Sequence, residues 1–159
     1  MTFQQIYLSL QAEDILNHKS GWKAITGTTD FGIIISKAEL DDPDPEISSR
    51  NPYRLAFDLV VDRVLHYVGS YHLKLNGQVD AIVFAGGIGE RAVQMRSIIA
   101  EKVRCLGYRE LDEGKNEGAS KESAVVVDIS SSDGGGRATA GRTKRIMVCK
   151  TNEQVSLYT

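Results

Sequence analysis

Residues 80 to 90 read Asp80-Ala81-Ile82-Val83-Phe84-Ala85-Gly86-Gly87-Ile88-Gly89-Glu90. The first five predict a short buried strand. The glycines then force a tight turn, and a helix follows from about Arg91 to Leu106, with Val93, Ile98, Ile99 and Val103 at helical spacing and Gly107 as its stop. A strand led through glycine into a helix favours a nucleotide. Glycine lets the backbone approach a flat or charged ligand, and a helix start offers unpaired N–H groups. The spacing is neither GxGxxG nor a Walker A loop, since no Lys-Ser/Thr pair follows. A strand-to-helix turn that merely needs glycine would look the same, so the residues leave both readings open.

Upstream, Asn51 and Pro52 predict the start of a long helix whose apolar face is Phe57, Val60, Val61, Val64, Val68 and Tyr71, and Asn76-Gly77 its end. At about 1.5 Å per residue such a helix is roughly 35 Å long. Before it, residues 11–18 read as a short helix and Trp22 to Thr26 as a short β-like run closed by Gly27. Thr28 to Ser36 reads as a turn around Asp30-Phe31-Gly32 leading into a buried apolar run. The stretch 41–51 carries prolines at 43 and 45 that argue against a regular helix. Downstream, Ala124 to Ile129 and Ile146 to Cys149 predict strands, separated by a glycine- and serine-rich linker near 130–143, and Asn152 reads as the cap of a last short helix. Strands alternating with helices make the chain α/β.

Composition narrows the function. The 159 residues are 42% hydrophobic and 25% charged, ordinary for one globular domain. A formal charge of -2, with basic residues clustered only at Arg137, Arg142, Lys144 and Arg145, argues against nucleic acid as a partner. No apolar stretch reaches the roughly 18 residues of a membrane span. Cys105 and Cys149 lack CxxC spacing and read as unpaired small hydrophobes. No secretory leader is visible, and a cytoplasmic location is expected.

The run DAIVFAGGIGE resembles the adenosine-side signature of acetate kinases, and three further stretches agree with that family in order. They are Leu16-Asn17-His18-Lys19-Ser20-Gly21, Thr26-Gly27-Thr28-Thr29-Asp30-Phe31, and Thr151-Asn152-Glu153. The similarity covers residues 11 to 158 and leaves 1–10 as an extension without clear counterpart. It implies part of an actin-like ATPase (ribonuclease H-like) fold of the acetate and sugar kinase type, here the carboxy-terminal nucleotide-binding portion. It implies a phosphotransferase that moves the γ-phosphoryl of ATP to acetate with Mg²⁺.

On that resemblance Asp30, Phe31 and Gly32 would lie beside the nucleotide, Asp30 as a polar contact and Phe31 as an apolar surface. Gly86, Gly87, Ile88, Gly89, Glu90 and Arg91 would wall the adenosine pocket, and Glu153 would belong to the magnesium site. Two positions depart from the family. Gly32 stands where many members carry an Arg able to reach phosphate, and Arg91 where many carry Asn. Arg91 could supply a charge from another direction or stack on the base. His18, His66 and His72 match no catalytic motif. Family enzymes are more than twice this length, and their catalytic Arg and His, with the acetate pocket, belong to motifs not matched here. The chain is therefore expected to be a fragment or portion that binds nucleotide, is inactive alone, and takes acetate or another short carboxylate only when completed. The competing expectation is a non-catalytic interaction protein, possible as a homodimer, that keeps the fold. A dinucleotide redox module is disfavoured by the glycine spacing.

Overall fold

The computed structural model describes residues 11–16, 19–42, 45–132 and 143–151. The chain divides into two compact units, Met1–Val60 and Val61–Thr159.

In the first unit, residues 11–16 are helical, followed by α1 (Gly21–Thr26), α2 (Phe31–Lys37), α3 (Pro45–Arg50) and the first part of α4 (Pro52–Lys74). The expected β-like run at Trp22 to Thr26 is instead a helix. Five residues are too few for alternation to show, and Gly27 in the left-handed region (φ 75°) closes the helical turn by donating its N–H to Lys23 O at 2.8 Å. The apolar run after Asp30 is also helical rather than uniformly buried: Ile34 is fully buried while Ile33 faces solvent, as a 3.6-residue period requires. The prolines did not prevent a helix either. Pro45 is the first residue of α3, where the N–H it lacks would have had no intrahelical partner.

Helix α4 begins where Asn51-Pro52 predicts. Asn51 Oδ1 accepts from the N–H groups of Tyr53 (2.9 Å) and Arg54 (3.2 Å), and its Nδ2 donates to Lys37 O at 2.8 Å, tying the cap to the end of α2. It stops where Asn76 and Gly77 both turn left-handed and Gly77 N–H donates to His72 O at 2.8 Å. The apolar face is sealed only in part. Phe57 and Val61 are buried and Val64 and Val68 half-buried, but Tyr71 is exposed. The core of the first unit is Phe31, Ile34, Ala38, Ala56 and Phe57, with the Phe31 ring 5.4 Å from Trp22 and 6.0 Å from Phe57.

The second unit carries β1 (Ala81–Ala85), α5 (Gly86–Arg91), α6 (Val93–Val103), a 3₁₀ turn (Arg104–Leu106), α7 (Glu113–Gly118), β2 (Val126–Asp128) and β3 (Arg145–Cys149). The sheet order is β1-β3-β2. β1 and β3 run parallel, in register from Ala81↔Arg145 to Ala85↔Cys149, whereas β2 is antiparallel to β3. β1 is less buried than its sequence suggests, with Phe84 inside and Val83 half open to solvent. The strand expected over 124–129 shrinks to the three residues Val126–Asp128, and Val125 and Val126 are exposed. Ile99, Val103, Tyr108, Ile129, Ile146 and Val148 form the core. The long helix expected from Arg91 is broken at Ala92 (φ -83°, ψ 78°), which separates α5 from α6.

Candidate functional site

Parallel strands deliver their carboxyl ends to one edge of a sheet, and in α/β proteins that edge is where ligands gather. Here the ends of β1 and β3, Ala85 and Cys149, are register partners, so Gly86–Arg91 and the segment from Lys150 leave the sheet side by side. The three glycines of the turn differ in their reasons. Gly86 has φ 72°, a conformation that other residues adopt at a cost. Gly89 is buried, and a Cβ there would stand 3.2 Å from the Phe84 carbonyl carbon. Gly87 has neither cause: its φ is not positive, and a Cβ would meet nothing within 4 Å among the described residues. Ile88 and Arg91 are exposed beside it. With only six residues, α5 has a small macrodipole, so the capacity for close approach lies in the glycine backbone.

Glu90 joins the two segments. Its Oε1 accepts from Thr151 N–H at 2.8 Å and from the Thr151 hydroxyl at 2.9 Å. The backbone bond from Thr151 is the main reason its carboxyl lies below the ordinary value of 4.5; the Thr151 hydroxyl, the Gly86 N–H and the charge of Arg91 add to it, against a smaller opposing effect of partial burial. The glycine turn and the start of the Thr151-Asn152-Glu153 motif, which are 61 residues apart, are thus held together. Glu153 lies outside the described residues, and so do Asn152 and His18.

Asp30, Phe31 and Gly32 belong to the first unit, and each has a local task there. Asp30 caps α2, its Oδ1 accepting from Gly32 N–H (2.8 Å) and Ile33 N–H (3.2 Å). Phe31 is buried between Trp22 and Phe57, where its ring is part of the core. At Gly32 a Cβ would come within 3.1 Å of the capping Asp30 oxygen, a tight approach at the position where many family members carry Arg. His66 is exposed on α4; His72 is half-buried, its Nε2 3.4 Å from Lys144 Nζ, and burial followed by that ammonium lowers its pKa. Among the described residues no group of three or more His, Cys, Asp or Glu side chains gathers to hold a metal. A single carboxylate remains compatible with Mg²⁺, which keeps several waters and takes only one or two protein carboxylates. Both cysteines are free, and no described helix is long and apolar enough to cross a membrane.

Two residues escaped the sequence reading. Arg96 of α6 is fully buried behind the glycine turn. Its NH1 donates to Gly89 O and Glu90 O, both at 2.8 Å, its Nε to Asn116 Oδ1 at 2.6 Å, and its NH2 to Asn116 O at 2.8 Å. Asn116, equally buried in α7, donates in turn to Val93 O at 3.2 Å and to Ser97 Oγ at 2.9 Å. Desolvation lowers the Arg96 pKa, but a guanidinium stays charged. The signal was present in the sequence: Arg96 lies between Val93 and Ile99 at three-residue intervals, a cation on an otherwise apolar stripe.

Comparison with known proteins identifies the family and the fold. A sequence profile of the acetokinase family matches residues 4–157, beginning within the first ten residues that the sequence reading set apart. A probable acetate kinase from Emericella nidulans is 45% identical over 146 residues, which are 92% of this chain and 31% of that protein. One from Neurospora crassa is 43% identical over 157 residues, 92% of this chain and 33% of that protein. Among solved structures, a propionate kinase from Francisella tularensis aligns with a TM-score of 0.66 at 30% identity, covering 92% of this chain and 32% of its own. The acetate kinase of Entamoeba histolytica aligns with a TM-score of 0.71 at 23% identity, covering 91% and 34%. The fold is thus part of the actin-like ATPase fold, and the chain spans about a third of the length of the curated relatives it matches. With a match over nearly all its residues, the chain belongs to the acetokinase family.

Proposed function

We propose that this chain supplies the nucleotide side of an acetate kinase-type phosphotransferase, with Gly86, Gly87, Ile88, Gly89, Glu90 and Arg91 lying against the adenosine part of ATP or ADP. Gly87 is the observation that carries the reading. Among the described residues neither backbone strain nor packing asks for glycine there, and a ligand approaching the backbone closely would. The family resemblance alone proposes Asp30, Phe31 and Gly32 as further nucleotide contacts.

In the complete reaction an acetate oxygen forms a bond to the γ-phosphorus of ATP as the bond to the β-phosphate oxygen breaks, giving acetyl phosphate and ADP. Such transfers depend on positioning and charge neutralisation. Mg²⁺, held through Glu153 and the nucleotide phosphates, would supply part of that neutralisation. On the family resemblance, the cations that meet the transferring group and the carboxylate pocket belong to motifs that this chain does not match. Turnover by the chain alone is therefore lower than that of a full-length relative by several orders of magnitude. A cytoplasmic setting goes with this reading.

Calorimetric titration of the folded chain with MgADP tests it, alongside Gly87→Val. Saturable binding weakened by the added side chain supports the proposal. A folded chain without detectable binding overturns it. One observation favours a second reading, an interaction protein that self-associates: Tyr67, Tyr71 and Leu73 lie exposed along the end of α4. Sedimentation at several concentrations, with and without Tyr71→Glu, separates the two.

A further inference from the structure

An arginine taken wholly out of water normally sits against a carboxylate. Arg96 does not: each of its four acceptors is a neutral oxygen. Gly89 O and Glu90 O belong to the last turn of α5 and Asn116 O to the last turn of α7, and all three carbonyls accept from the guanidinium. The planar guanidinium forks between them, so the carbonyls it joins are held at fixed separation and direction.

We infer that Arg96, oriented by Asn116, is a positioning residue that sets the backbone of the glycine turn for nucleotide. The inference rests on the reading of Gly86–Arg91 as a nucleotide contact. The turn is held from two sides. From within, Arg96 fixes the carbonyls of Gly89 and Glu90; from outside, Glu90 uses its carboxylate to hold Thr151, two residues before Glu153. Residue 90 therefore has its backbone set by one partner and directs another with its side chain. Asn116 completes the chain of contacts. Its Oδ1 fixes the guanidinium plane, while its amide is pinned by Val93 O and Ser97 Oγ on the same helix that bears Arg96. Charge alone cannot replace this arrangement. A lysine ammonium at position 96 is a point charge without the planar fork that reaches α5 and α7 together.

The test uses the whole chain and two readouts. Amide NMR of Gly86–Arg91 and Thr151 reports the turn without any nucleotide, and MgADP calorimetry at a temperature where every variant is folded reports its use. In Arg96→Lys the amides of Gly87, Gly89, Glu90 and Thr151 should shift while those of β3 stay, and MgADP affinity should fall by about tenfold or more, the scale of a misplaced binding group. If Arg96→Lys does not fold, Asn116→Ala loosens the guanidinium while leaving it in place, and should move the same amides by a smaller amount. Unchanged turn amides in a folded Arg96→Lys or Asn116→Ala chain overturn the inference. So does a loss of affinity that follows thermal stability equally in an Ile99→Ala control. A native chain that ignores MgADP overturns the nucleotide reading instead, and the amide shifts then decide whether Arg96 positions the turn.

Discussion

At the scale of single residues, the glycine turn makes a contrast that stability measurements can read. Gly89→Ala forces a methyl group against the Phe84 backbone and should cost about 1–3 kcal/mol, as overpacking does. Gly86→Ala must hold a left-handed φ and should cost about 1–2 kcal/mol. Gly87→Ala meets open space and should be neutral or slightly stabilising. Urea denaturation midpoints of the three variants check the order. Glu90 gives a pH signature. Its folded pKa is depressed, so the stability it contributes is present above 4.5 and lost as pH falls through the lower folded value. Following the Thr151 amide down in pH should show its bond failing in that window, and Glu90→Gln should remove the transition. Gly32 and Gly87 look alike in the sequence, yet a Cβ would crowd a cap at one and meet nothing among the described residues at the other. Only side-chain placement separates such cases, which is why the motif pointed to the site without saying which glycine matters.

Among the elements, α4 was the most legible because three signals agree on it: an Asn-Pro start, a helical period and an Asn-Gly stop. Asn51→Ala removes the acceptor for two N–H groups and the tie to Lys37 O, and should cost about 1–2 kcal/mol. Thermal denaturation followed by helical circular dichroism measures it. Strands β1 and β3 were equally legible as apolar runs bounded by turn residues. The short helices were not. Over Trp22 to Thr26 the apolar pattern is too brief to distinguish periods of 2 and 3.6, and α7 contains two glycines in six residues, so its cap at Asp112 was the one local cue. The pairing of Arg96 with Asn116 spans 20 residues between two helices. A contact of that kind depends on how elements pack, and no local pattern announces it.

At the scale of the whole molecule, the second unit presents surfaces that a finished sheet would cover. Among the described residues β1 pairs with β3 alone, which leaves its other edge unpaired, and Val83 is exposed on it. Unpaired apolar edges recruit other chains. Concentration-dependent association is therefore expected, and Val83→Lys should reduce it without changing secondary structure, as sedimentation velocity and circular dichroism would show together. The family and the actin-like architecture were readable because four ordered motifs are spread along the chain; the extent of exposed surface was not, since it depends on the length of relative that this chain does not span. The pairing of Cys149 with Ala85 has a practical outcome. One thiol is half-buried at the foot of the glycine turn, while Cys105 is exposed at the end of the 3₁₀ turn. The molecule thus carries a chemical reporter and its own reference. Alkylation of Cys149 that slows on addition of nucleotide, while Cys105 continues to react at the same rate, would read occupancy of the turn by mass spectrometry without any engineered label.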